Sequence, residues 1–156
     1  MKRIVYVLGL CLLIGSTGCL KDRDAECKDV SPATEKPTIE TYAATASIAA
    51  MPHASGLYYE IINPGSGPAP TATSKLYVTY TGKFLDGTVF NPTTTPAEPF
   101  YLTQLITGWQ IGLPMIQKGG TIKLIVPSSL AYGCRGRGSI PPNTILYFEI
   151  TLNDVQ

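Results

Sequence analysis

The chain has 156 residues, 44% hydrophobic and 15% charged, enough for one domain with a buried core and too apolar for a disordered polymer. Twelve basic against eleven acidic residues leave a formal charge of +1, which excludes the strongly basic surface that nucleic-acid binding draws on. Thirteen prolines and fifteen glycines imply many turns and argue against a helical bundle.

In chain order, residues 1–18 have the composition of a signal peptide. Lys2 and Arg3 form a short positive region, Ile4 to Ile14 is apolar, and Gly15-Ser16-Thr17-Gly18 leads into Cys19. The apolar run is shorter than the ~20 residues that cross a bilayer. Small residues directly before a cysteine resemble a lipobox, the site at which bacterial lipoproteins are diacylated and cleaved; Ser16 stands where the usual box has Leu. The alternatives are an uncleaved anchor, or ordinary cleavage that leaves Cys19 a thiol. Removal of the leader takes Lys2 and Arg3 with it and leaves a net charge of −1.

Four cysteines are present. Cys11 leaves with the leader and Cys19 would carry the lipid, so Cys27 and Cys134 remain as an even pair in an oxidising compartment. A bridge between them would close a loop of about a hundred residues, worth ~4–5 kcal/mol in the chain-entropy model; the alternative is two free thiols. No CxxC or Cys/His cluster exists, so no metal site and no cofactor are expected.

Residues 19–55 read as a polar tether, Lys21 to Lys36, followed by a short helix over Pro37 to Ala50. Pro37 suits a first helical position, and Ile39, Tyr42, Ala43 and Ala46 make a modest apolar stripe. From Gly56 the rhythm becomes that of strands. Leu57, Tyr59 and Ile61 alternate with Tyr58, Glu60 and Ile62, and Asn63-Pro64-Gly65 ends that strand. Leu76, Val78, Tyr80, Gly82 and Phe84 alternate with Tyr77, Thr79, Thr81 and Lys83. Asp86-Gly87 is a hairpin turn, Thr88 to Phe90 begins the return strand, and Thr121 to Val126 and Ile145 to Leu152 are further strands. Between them, Ile106, Trp109 and Leu113 sit at helical spacing within Leu105 to Ile116. Gly108 and Gly112 cost that helix about 1 kcal/mol each relative to Ala, so packing must hold it. The reading is α+β: an antiparallel sheet with one short helix on its concave face, residues 56–156 forming the domain.

Several words in this stretch resemble the FKBP family of peptidyl-prolyl cis/trans isomerases. They are Val78-Thr79-Tyr80-Thr81-Gly82, Asp86-Gly87-Thr88-Val89-Phe90, Ile106-Thr107-Gly108-Trp109, Gly119-Gly120, Ile125-Val126-Pro127, Leu130-Ala131-Tyr132-Gly133, Ile140-Pro141-Pro142-Asn143 and Leu146-Tyr147-Phe148-Glu149. Each is weak alone; their order and spacing across about Gly56 to Gln156 are highly specific.

The resemblance implies a half-wrapped antiparallel sheet around one short helix, and isomerisation of Xaa-Pro bonds. Carried over by position, Tyr80, Phe90, Phe100, Leu105, Ile106, Tyr132, Ile140 and Phe148 would wall a pocket with Trp109 as its floor. The Tyr132 hydroxyl and the Ile140 backbone N–H would contact the ligand's carbonyl groups. Asn91 stands where the family usually has Asp, which removes a charge from the site. The loop Gly133 to Ser139 is one residue shorter than usual; its arginines read as a solvated surface. The implied partners are proline-containing polypeptides and macrolide ligands of the FKBP type, with a membrane reached through the lipid anchor and no nucleic acid. The implied role is folding assistance at the cell envelope, facing the periplasm. Asn91 and the altered loop motivate an alternative, an FKBP-fold chaperone or proline-peptide binding module with weak or no turnover. A third reading is a structural envelope lipoprotein without a ligand.

Overall fold

The computed structural model describes residues 27–94 and 98–156. The leader and Cys19 lie outside them. Among the described residues, seven strands form one antiparallel sheet: β1 (Met51–Pro52), β2 (Tyr58–Asn63), β3 (Lys75–Phe84), β4 (Val89–Thr94), β5 (Phe100–Tyr101), β6 (Thr121–Val126) and β7 (Leu146–Val155). Their order is β1-β2-β6-β7-β3-β4, with β5 paired to the start of β3. Helix α1 spans Pro32–Thr45 and helix α2 spans Thr107–Gly112. The β3–β4 connection turns at Gly87, whose φ of 88° favours glycine. The Asp86 carboxylate closes this turn by accepting the Thr88 N–H at 2.8 Å.

Period-two alternation in the strands gives the sheet two apolar faces. On one, Leu146, Phe148, Ile150 and Leu152 of β7 join Ile122, Leu124 and Val126 of β6, Leu76 and Val78 of β3, and Trp109 and Leu113. This is the main core, and α2 lies against it. Gly108 and Gly112 are what let it approach. A Cβ on Gly108 would sit 2.5 Å from Val126 Cγ1, and one on Gly112 would sit 2.7 Å from Leu124 Cδ2. The residues that weaken this helix in isolation therefore permit its contact with β6. The helix stops early because Pro114 has no N–H to continue it, and Leu113–Met115 closes as a 3-10 turn.

The opposite face carries Tyr58, Ile125 and Tyr147, which α1 covers with Ile39 and Ala43. The expected start of this helix at Pro37 is corrected to Pro32. Ser31 is the N-cap and accepts the Thr34 N–H, while Pro32 occupies the first turn, where its missing donor costs nothing. Pro37 lies inside the helix and deletes one of its hydrogen bonds. Tertiary contacts offset that loss. Glu35, Ile39 and Ala43 recur every fourth residue, all are buried, and the Glu35 carboxylate accepts the Ser128 N–H at 2.8 Å.

The structure joins Cys27 to Cys134, 107 residues apart in sequence, with Cα atoms 5.4 Å apart. Beside the bridge, the Asp29 carboxylate accepts the Cys134 N–H at 2.8 Å. The bridge, Asp29 and Glu35 thus bind the N-terminal arm to the segment that follows β6.

Candidate functional site

A cavity of about 460 Å³ opens between α2 and the rim of the sheet, within the ~300–1,000 Å³ usual for small-ligand sites. Trp109 of α2, 4% exposed, forms its floor. The Tyr80 ring from β3 stands 5.0 Å from the indole at 87°, and the Phe148 ring from β7 stands 5.3 Å away at 88°. Two aromatic walls therefore rise almost perpendicular to an aromatic floor. Phe90 from β4 extends one wall, meeting Phe148 edge-on at 5.7 Å, and Phe100 from β5 meets Tyr80 at 6.3 Å. Edge-to-face pairs of this kind place the positive ring edge on the negative face. Gly82 makes room for this packing: a Cβ there would lie 2.6 Å from the Phe90 ring.

Leu105 and Ile106 complete the rim ahead of α2. The Gln110 amide holds this turn by donating to the Leu105 carbonyl at 2.7 Å. The Ile106 backbone N–H has no acceptor among the described residues. Tyr132 lines the opposite rim, and its hydroxyl likewise has no hydrogen-bond partner among the described residues. Among the described residues Trp109 Nε1 is buried without an acceptor, a cost of about 1–3 kcal/mol that accompanies the use of a large indole as the floor.

The Asn91 side-chain amide donates to the Tyr80 hydroxyl at 2.8 Å. Burial raises the Tyr80 pKa above the usual phenol value; the Asn91 donor works against that rise, and neighbouring Tyr132 adds to it. A carboxylate at position 91 could only accept from Tyr80. The amide therefore reverses the direction of this hydrogen bond and leaves the Tyr80 proton available elsewhere.

The cavity brings together Tyr80, Phe90, Asn91, Phe100, Leu105, Ile106, Trp109, Tyr132 and Phe148. Ile140 is a correction. It does not line the cavity, and its N–H donates to the Arg137 carbonyl at 2.9 Å while Arg137 N–H returns a bond of the same length to the Ile140 carbonyl. This two-way bridge closes the loop on itself and uses the amide that was assigned to a ligand. Two lining residues were missed by the sequence reading, Gln104 and Arg137. Gln104 adjoins Leu105, which was the available signal. Arg137 sits between Gly136 and Gly138, both with positive φ; it is exposed, as the solvated reading of the loop expects, and it also borders the cavity. The sole histidine, His53, lies in a turn with Ser55, Nδ1 to Oγ 2.9 Å, and does not line the cavity.

The family model described as FKBP-type peptidyl-prolyl cis-trans isomerase matches residues 67–153. The chain is 44% identical over 103 residues to a protein named FkpA, an FKBP-type peptidyl-prolyl cis-trans isomerase of Escherichia coli strain K12, covering 65% of this chain and 38% of that one. The crystal structure of FkpA from Escherichia coli superposes with a TM-score of 0.69 at 35% identity, covering 81% of this chain and 59% of that one. A peptidyl-prolyl cis-trans isomerase structure from Pseudomonas syringae pv. tomato gives a TM-score of 0.67 at 32% identity, covering 83% of this chain and 98% of that one. A Legionella longbeachae protein named outer membrane protein MIP is 42% identical over 105 residues, 65% of this chain and 45% of that one. The chain thus spans half or less of the length of these curated relatives.

Proposed function

The chain belongs to the FKBP-type peptidyl-prolyl cis-trans isomerase family, and from that premise we propose that it isomerises Xaa-Pro bonds of polypeptides in the Trp109 cavity. The observation that carries this reading is the aromatic box, with Tyr80 and Phe148 upright on Trp109 and an unpaired Tyr132 hydroxyl at its rim.

Rotation about an Xaa-Pro bond faces a barrier of ~18–20 kcal/mol because resonance gives the C–N bond double-bond character. Uncatalysed exchange takes roughly tens to hundreds of seconds. At the barrier top the amide is twisted, its resonance is lost and its dipole is smaller. Water stabilises the planar, more dipolar form more strongly, so an apolar cavity lowers the barrier relative to water. The proline ring stacks on the Trp109 face between the Tyr80 and Phe148 walls. The Tyr132 hydroxyl and the Ile106 N–H are among the donors that orient substrate carbonyls, carried on the rim before the substrate arrives. The reaction requires no proton transfer, nucleophile or metal. FKBP-type macrolides would occupy the same box.

The test is the cis/trans exchange of a short Xaa-Pro peptide followed by NMR. The protein is expected to accelerate exchange, and a macrolide of the FKBP type to compete. Tyr132→Phe is expected to lower kcat/KM by about three- to ten-fold, the worth of one neutral hydrogen bond. Exchange at the uncatalysed rate with clear peptide binding would instead make the chain a proline-peptide binding module. Asn91, with its reversed bond to Tyr80, is the feature that favours this second reading.

We further propose that residues 1–18 direct export and that Cys19 carries a lipid, so that the domain assists folding at the envelope from a membrane anchor. The leader composition and the small residues before Cys19 support this reading. So does the Cys27–Cys134 bridge, which suits an oxidising compartment. Cys19→Ala is expected to move the protein from the membrane to the soluble fraction; undiminished membrane retention would end the lipid assignment.

A further inference from the structure

We propose that Arg137 is a specificity-determining residue that selects proline sites flanked by an acidic side chain. The inference rests on the isomerase reading of the cavity and names a substrate class for it. Among the described residues that line the cavity, Arg137 is the one that carries a formal charge. Asn91 is neutral, and the other lining residues are aromatic, aliphatic or amide. No ion pair among the described residues includes Arg137. Its guanidinium carbon lies 5.6 Å from the centre of the Tyr132 ring, a cation–π position that holds the charge over the residue placed to contact the substrate carbonyl. The backbone is fixed as well, by the two 2.9 Å bonds exchanged with Ile140. An unpaired, positioned cation beside an otherwise uncharged apolar box attracts a carboxylate on the residue next to the bound proline and repels an ammonium there. The planar guanidinium also suits bidentate carboxylate recognition. Arg135 gives an internal comparison. It belongs to the same loop but lines a different depression, next to Cys27 and Asp29.

The experiment compares isomerisation of matched peptides with Glu, Leu or Lys before the proline, and a second set with these residues after it, using the full chain. Turnover of the Leu peptides tests the isomerase reading by itself. Binding of every peptide, read from amide shift titrations, carries the charge test whatever the turnover. Glu is expected to be favoured over Lys by about two- to five-fold in at least one set, the range of a solvent-accessible ion pair. That preference should shrink when ionic strength rises from about 20 to about 500 mM, because salt screens an exposed pair. Arg137→Gln is expected to abolish the preference, Arg137→Glu to invert it, and Arg135→Gln to leave it unchanged. Asn91→Asp, which adds a carboxylate to the same cavity, is expected to weaken it. Equal treatment of Glu and Lys peptides by the unmodified chain in both sets, or a preference that persists in Arg137→Gln, would overturn the proposal.

Discussion

Removal of the Cys27–Cys134 bridge is expected to lower the unfolding free energy by about 4–5 kcal/mol, the chain-entropy value for a loop of this length. The bridge spans 107 residues of sequence, so in the unfolded chain it restricts almost the whole domain. In the folded chain its loss leaves the arm held by the packing of Ile39 and Ala43 on the sheet and by two carboxylate contacts, Asp29 to the Cys134 N–H and Glu35 to the Ser128 N–H. Domains of this size are stable by roughly 5–15 kcal/mol, so the oxidised protein should be far more resistant to denaturant than the reduced one. The measurement is urea unfolding of the oxidised chain, the chain in reductant, and a Cys27→Ser, Cys134→Ser double variant. The last two should agree, and reductant should have no effect on the variant. Coincident midpoints for all three would show that the bridge contributes no stability. Because Tyr132 is two residues from Cys134, backbone shifts from Tyr132 to Arg137 should also differ between the oxidised and reduced forms.

Phe148→Ala is expected to cost about 3–5 kcal/mol, as for other large-to-small changes in a close-packed core. Phe148 is 3% exposed on β7, which lies between β6 and β3. Its ring meets Trp109 at 5.3 Å and Phe90 at 5.7 Å, so truncation opens a void under one wall and frees the floor. Phe148→Leu fills most of that volume and should recover much of the stability. It lacks the aromatic edge on the indole, and so should recover less of the proline-peptide affinity. Unfolding midpoints and peptide titrations on both variants separate packing from recognition. Full affinity in Phe148→Leu would assign the residue to the core alone.

What the sequence determined by itself was local periodicity and a set of family words. Alternation over Leu76 to Phe84 and Leu146 to Leu152 specifies strands and the faces of their side chains, because successive Cβ atoms point to opposite sides of a sheet. The helical spacing of Trp109 and Leu113 places a short helix between them, and the order of the family words places Tyr80, Phe90, Trp109, Tyr132 and Phe148 around one cavity. Periodicity does not say what covers a face. Tyr58, Ile125 and Tyr147 were visibly apolar, but that α1 begins at Pro32 and lies over them depends on contacts such as Glu35 with Ser128, which join residues 93 apart in sequence. The same holds for single groups at the rim. Whether the Ile140 N–H meets a ligand or the Arg137 carbonyl is decided by how the loop closes. That the exposed Arg137 also borders the cavity, with its guanidinium 5.6 Å from the Tyr132 ring, depends on how the same loop folds back over the rim. Such choices belong to the tertiary structure, because they rest on the partner a group finds across the fold rather than on its neighbours along the chain.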